Sequence, residues 1–107
     1  MEQICKLELA GVVCRSTITP VGDSKVARFS LATNYTYNGK DGGIIIDTTW
    51  FSCTAWEGEN MPDLNQIQKG SKVHLIGRVR MQRYTDADGI DRQIWEVICS
   101  SLEIVED

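Results

Sequence analysis

The sequence predicts an all-β domain with one short helix, its five strands closed into a small barrel. Three observations carry that expectation. Apolar and polar residues alternate with period two along most of the chain. Clusters of Pro, Gly, Asn and Asp cut it into strand-length segments. Only one stretch has helical spacing. With 107 residues, 42% hydrophobic and 24% charged, residues 1–107 read as a single domain around a single core.

The first strand starts near Cys5. Cys5, Leu7, Leu9 and Val13 fall on one face and Lys6 and Glu8 on the other, while Gly11 suggests a bulge or bend. Pro20, Gly22 and Asp23 form a turn. The second strand points Ala27, Phe29 and Leu31 inward and Arg28 and Ser30 outward. Asn38-Gly39 and Asp41-Gly42-Gly43 mark an extended hairpin loop, and a third strand runs from about Ile45 to Trp56. Pro62 suits a first helical turn, Met61, Leu64 and Ile67 recur at threes, and Gly70 fits a C-terminal cap. The fourth strand sets Val73, Leu75, Val79 and Met81 on one side. Asp86-Ala87-Asp88-Gly89 turns into a fifth strand through about Cys99, which Leu102, Ile104 and Val105 extend. The order β-β-β-α-β-β is that of a five-stranded OB-fold barrel.

Several function classes fall away. No apolar run approaches the roughly 20 residues of a bilayer span, and the N-terminus lacks a basic-plus-apolar signal, so a cytoplasmic protein with no membrane partner is expected. Cys5, Cys14, Cys53 and Cys99 include no C-x-x-C pair and His74 is the sole histidine, which argues against zinc and for reduced, mostly buried thiols. Asp86, Asp88 and Asp91 have the look of a calcium loop, but its glycine is misplaced and Val97 stands where a bidentate Glu is needed. No phosphate-binding loop, nucleophile elbow or paired-carboxylate constellation occurs. No acid is placed to orient His74, so it reads as structural. The expectation is a binding protein without catalytic residues, metal or cofactor.

The third strand carries the sharpest functional signal. Alternation puts Trp50, Ser52, Thr54 and Trp56 on one face and Phe51, Cys53 and Ala55 on the core face. Two indoles in a polar row suit base stacking, worth about 1–3 kcal/mol per base; a subunit interface or a place under a loop is the alternative, since Trp is enriched there too. The net charge of −4 opposes a nucleic-acid partner, yet Lys69, Lys72, Arg78, Arg80 and Arg83 form a stripe with no acid between them. His74, Arg78, Arg80 and Tyr84 point outward on the fourth strand, with Ile76 and Gln82 among them. Tyr35 and Tyr37 lead into the long loop and could fold over a bound strand. Trp95 shares its alternation with Val97 and Cys99 and is expected in the core.

In this order and spacing the segments resemble the bacterial single-stranded DNA-binding protein family over essentially the whole chain. The resemblance rests on Lys6-Leu7-Glu8-Leu9-Ala10-Gly11, Phe29-Ser30-Leu31-Ala32-Thr33, Thr49-Trp50, Lys69-Gly70-Ser71-Lys72-Val73, Gly77-Arg78-Val79-Arg80, and Tyr84-Thr85-Asp86 through Gly89 to Asp91-Arg92. It implies stacking by Tyr37, Trp50, Trp56 and Tyr84 and phosphate contacts near Arg78, Arg80 and Arg83, to which Lys72 and the outward Arg28 are added. It further implies binding of single strands without sequence preference in replication, repair or recombination, nucleoid association, and a homotetramer. There are departures. Phe51 stands where the family commonly has His, and Ser16 to Pro20 lacks the usual Asp-Pro pattern. The sequence stops at Asp107, and Glu106-Asp107 cannot stand in for the family's acidic tip, which argues against tail-mediated recruitment. Gly11-Val12-Val13-Cys14-Arg15 and Leu102-Glu103-Ile104-Val105 also resemble the dimeric primosomal replication protein N group. That likeness supports the runner-up, an assembly module whose exposed aromatics face protein.

Overall fold

A computed structural model describes residues 1–105; the acidic end, Glu106 and Asp107, lies outside the described residues. Five strands make a closed barrel in the order β1-β2-β3-β5-β4: β1 Leu7–Val21, β2 Ser24–Asn38, β3 Ile44–Trp56, β4 Lys72–Thr85 and β5 Asp91–Ile104. This is the OB arrangement read from the strand order. Leu9, Val13, Phe29, Leu31, Val73, Leu75, Val97 and Leu102 fill its interior; all but Leu102, which is out of phase with Val97 and Cys99, lie where alternation points inward. Among the described residues no helix is long and apolar enough to cross a membrane.

β1 is shared between two neighbours. Leu7 to Val12 pair with β4, and from Val12 onward the strand pairs with β2. Gly11 sits at this exchange. A Cβ there would collide with the Ala32 carbonyl oxygen, so only glycine lets the two backbones approach. The bulge expected at Gly11 lies farther on, where the register shifts between Val13 and Arg15. The extra residue, Cys14, turns Arg15 to the outer side opposite Ser30 and places Ser16 opposite Phe29. Cys5 precedes β1 and is exposed.

The expected helix is a single 3-10 turn, Leu64–Gln66, whose N-cap Asp63 accepts a hydrogen bond from the Asn65 N–H at 3.0 Å. Gly70 caps no helix; its N–H donates to the Val13 carbonyl at 2.8 Å and ties this loop to β1. Leu64 and Ile67 still enter the core. Spacing by threes suited an α-helix and a 3-10 turn alike.

β4 and β5 form a long antiparallel hairpin with a shift between Ile76 and Gly77, which leaves Ser100 as the extra residue. Ser100 Oγ donates to the Ile76 carbonyl at 2.9 Å. A side chain at Gly77 would strike the Ile98 carbonyl oxygen. β3 and β5 meet in parallel through only two register pairs, Cys53↔Val97 and Thr54↔Ile98. Toward their N-terminal ends both strands leave the barrel on the same side. The β2–β3 hairpin beyond about residue 34 and the β4–β5 hairpin beyond about residue 82 therefore project as two separate arms.

The thiols divide into two classes. Cys53 and Cys99 are buried, but Cys5 and Cys14 are exposed, contrary to the expectation that all four are mostly buried. Cys14 is the bulge residue and Cys5 lies outside the ladder, so alternation had no purchase on either. Burial pushes the Cys99 thiol up to about 12, and burial together with the nearby Cys99 raises Cys53 further.

Candidate nucleic-acid interface

The outer face of the β1-β2-β3 sheet carries three of the candidate residues, Trp50, Trp56 and Arg28. Register pairs Arg15 with Ser30, Thr17 with Arg28, Arg28 with Thr54, Ser30 with Ser52 and Ala32 with Trp50. Paired residues share a face, so one surface carries two arginines, a row of hydroxyls and the indoles of Trp50 and Trp56. A groove of about 390 Å³ runs across it, walled by Arg15 and Arg28 on one side and by Gln82, Ile94 and Glu96 on the other. Trp50 is 65% exposed and Trp56 43%, well beyond what two buried anchors would show.

Within the polar row of β3, Ser52 is exposed but Thr54 is buried. Thr54 Oγ1 donates to Glu96 Oε2 at 3.1 Å, and the other oxygen of that carboxylate receives Arg80 Nε at 3.0 Å. Arg80 is thus held inward by an acid that is only 11% exposed, which separates it from the other cations. Among the described residues Arg15, Arg28, Arg78 and Arg83 enter no ion pair. Lys72 opens β4 at the far end of the strand from the arm. In the β4–β5 turn, Arg92 Nε contacts Asp86 Oδ2 at 2.8 Å, and this hydrogen bond, with those from the Ile90 and Asp88 N–H groups, holds the Asp86 carboxyl below its usual range. Those bonds brace the turn; contrary to the expectation that no acid is placed to orient it, His74 is held between Glu8 (Nε2 to Oε2, 2.7 Å) and Glu103 (Nδ1 to Oε1, 3.2 Å).

The two arms divide the remaining aromatics. On β4–β5, Tyr84 and Gln82 share the face of Ile94 and Glu96, the groove side, whereas Arg83 and Met81 share the opposite face with Gln93 and Trp95. On β2–β3 the register is unbroken from Val26 to Asn38, so Tyr35 and Tyr37 lie on the face opposite Trp50. Their rings stand 6.2 Å apart and both are exposed. The structure therefore brings Trp50, Trp56 and Arg28 together on the outer face of β2 and β3, sets Tyr84 on the groove side of the β4–β5 arm and leaves Arg78 apart, beside Cys5 and Lys6, while Tyr37 and Arg83 project from the other side of their arms.

Trp95 is a correction. Expected in the core, it is 62% exposed. Its alternation with Val97 and Cys99 is as read, but the barrel ends at Val97 and the inward face of the arm has no core to meet. Arg15 is the residue that sequence reasoning missed. Strict alternation from Val13 points it inward, and only the Cys14 bulge brings it out beside Arg28. Among the described residues no group of three or more His, Cys, Asp or Glu side chains could hold a metal ion.

Comparison with known proteins fits this geometry. The sequence model of the Single-strand binding protein family matches residues 5–105. A single-stranded DNA-binding protein of Neisseria meningitidis is 28% identical over 86 residues, 80% of this chain and 49% of that protein. One of Oceanobacillus iheyensis is 30% identical over 90 residues, 82% of this chain and 53% of the relative. The chain thus spans about half the length of these curated relatives. Single-stranded DNA-binding protein B of Bacillus subtilis is 27% identical over 81 residues and is covered to 70%. Among solved structures, a Plasmodium falciparum SSB complex with ssDNA superposes with a TM-score of 0.76 at 26% identity, covering 99% of this chain and 98% of that one.

Proposed function

Because this chain belongs to the single-strand binding protein family, we propose that it coats single-stranded DNA without sequence preference and catalyses no reaction. The observation that carries this reading is the pair of exposed indoles, Trp50 and Trp56, on the outer face of β3 beside a groove walled by Arg15 and Arg28. Bases stack on Trp50, Trp56 and Tyr84, while Arg28, Arg78 and Lys72 meet the phosphates, with Arg15 added to them and Arg83 engaged only where the strand passes around the β4–β5 arm. Tyr37 reaches a strand only where it passes around the β2–β3 arm. Arg80 contributes less than its position in the stripe implies, because Glu96 holds its guanidinium.

The protein acts as a homo-oligomer, a tetramer in the form the family resemblance implies, with a dimer as the smaller option. Two features support self-association: the edge of Leu7 to Gly11 away from β4 has no strand partner among the described residues, and Ile44, Ile45 and Ile46 are exposed on the β2–β3 arm. Its setting is the nucleoid in the cytoplasm, in replication, repair or recombination.

Tryptophan fluorescence titrated with an oligo-dT strand at two salt concentrations, against duplex DNA, tests the reading. Strong quenching by the single strand alone, weakened by salt, is expected. Absence of binding at low salt would leave the aromatics to a protein partner. Trp56→Ala separates the two cases, since DNA affinity should fall while the oligomer stays intact.

A further inference from the structure

We propose that the fork between the two arms is a base-receiving slot, in which Trp95 binds a nucleobase of the single strand together with Trp50. This inference rests on the single-strand-binding reading and extends it to a residue outside the stacking set that the sequence implied.

The fork exists because β3 and β5 pair only at Cys53↔Val97 and Thr54↔Ile98 and then diverge. The space opened between them measures about 460 Å³, within the range of small-ligand sites. Trp50 stands on one lip and Trp95 on the other, over Phe51, Val79 and Val97. Apolar walls with two large aromatic rings suit a flat heterocycle. Trp50 is 65% and Trp95 62% exposed, and neither indole packs against another aromatic ring among the described residues.

Charge and continuity point to the same occupant. Glu96 borders the slot, yet its carboxylate is bound by Arg80 and Thr54, so no unpaired anion repels a phosphodiester there. Ser52, Ile94 and Glu96 line both this slot and the groove of Arg15 and Arg28. A strand whose phosphates run along those arginines has a base within reach of the fork. An aliphatic protein segment would fill the slot but has no use for cations at its exit.

Trp95→Ala and Trp95→Phe in the full chain, titrated with labelled oligo-dT and with an abasic strand of equal length, test the proposal. Trp95 is exposed and off the core, so both variants retain the barrel. Trp95→Ala is expected to bind oligo-dT roughly 5- to 150-fold more weakly, with affinity for the abasic strand and the salt slope unchanged. Trp95→Phe should recover most of the loss. If the wild-type protein binds oligo-dT and Trp95→Ala binds it equally well, the slot is overturned while the general reading stands. An equal loss on the abasic strand, or a fall in oligomeric mass that accounts for the weaker binding, also overturns it. Failure of the wild-type protein to bind any single strand at low salt instead removes the reading on which it rests.

Discussion

Arg28 and Arg80 lie on the same outer surface and carry the same charge, yet they should behave differently when neutralised. Arg28 enters no ion pair among the described residues, whereas Arg80 Nε lies 3.0 Å from Glu96 Oε1. Each phosphate contact on a single strand adds about 0.7 to the slope of log affinity against log salt. Arg28→Gln should therefore lower the slope by about 0.7. Over a fourfold rise in salt, say from roughly 50 to 200 mM, the variant's affinity falls about 2.6-fold less than the wild type's. Arg80→Gln should change the slope by well under half as much. Glu96→Gln completes the set: with its acid neutralised, Arg80 is released, and the slope should steepen by up to about 0.7. The assay is anisotropy of labelled oligo-dT at four salt concentrations, with a thermal melt of each variant to verify folding. Equal slope losses for Arg28→Gln and Arg80→Gln, or no change in Arg28→Gln, would refute the reasoning.

Other consequences are as readily checked. Gly77→Ala drives a methyl into the Ile98 carbonyl oxygen and should cost about 1–3 kcal/mol in chemical denaturation; a neutral result would show that β5 yields there. A thiol reagent should modify Cys5 and Cys14 in the native protein and reach Cys53 and Cys99 only after unfolding. The hydrogen bond to Glu8, assisted by Glu103, raises the His74 pKa above its ordinary value. A raised folded-state pKa means that the clasp stabilises fully below the unfolded value of about 6.5, and that this is lost as pH rises through the higher folded one. The melting-point gap between wild type and His74→Gln should thus be wider near pH 5.5 than near pH 9; a constant gap contradicts it.

Much of this could be read directly from the residues. The five strands, their order and the inward sets on β2 and β3 follow from alternation, because a half-buried strand has to segregate its faces. Alternation failed where a second condition intervened. At Cys14 an inserted residue reversed the phase and hid Arg15. At Trp95 the phase was right, but whether an inward face is buried depends on where the barrel ends, which period two does not encode. Arg80 was legible as a cation; its partner lies sixteen residues away on β5 and becomes visible only with the Arg80↔Glu96 register. Thr54 was covered by the same cross-strand contact.

The thin junction of β3 with β5 has a mechanical consequence. β1, β2 and β3 form an antiparallel meander, interrupted only by the Cys14 bulge, and β4 with β5 forms one long hairpin. Two seams join these halves: one of six residue pairs between β1 and β4, the other of only two between β3 and β5. Strain applied to either arm would therefore fall on the two-pair seam, which has the fewest ladder pairs in the wall. Motion there changes the angle between the arms while the six-pair seam keeps the barrel shut. On the single-strand-binding reading, such a seam would let the mouth adapt to successive nucleotides without the core giving way.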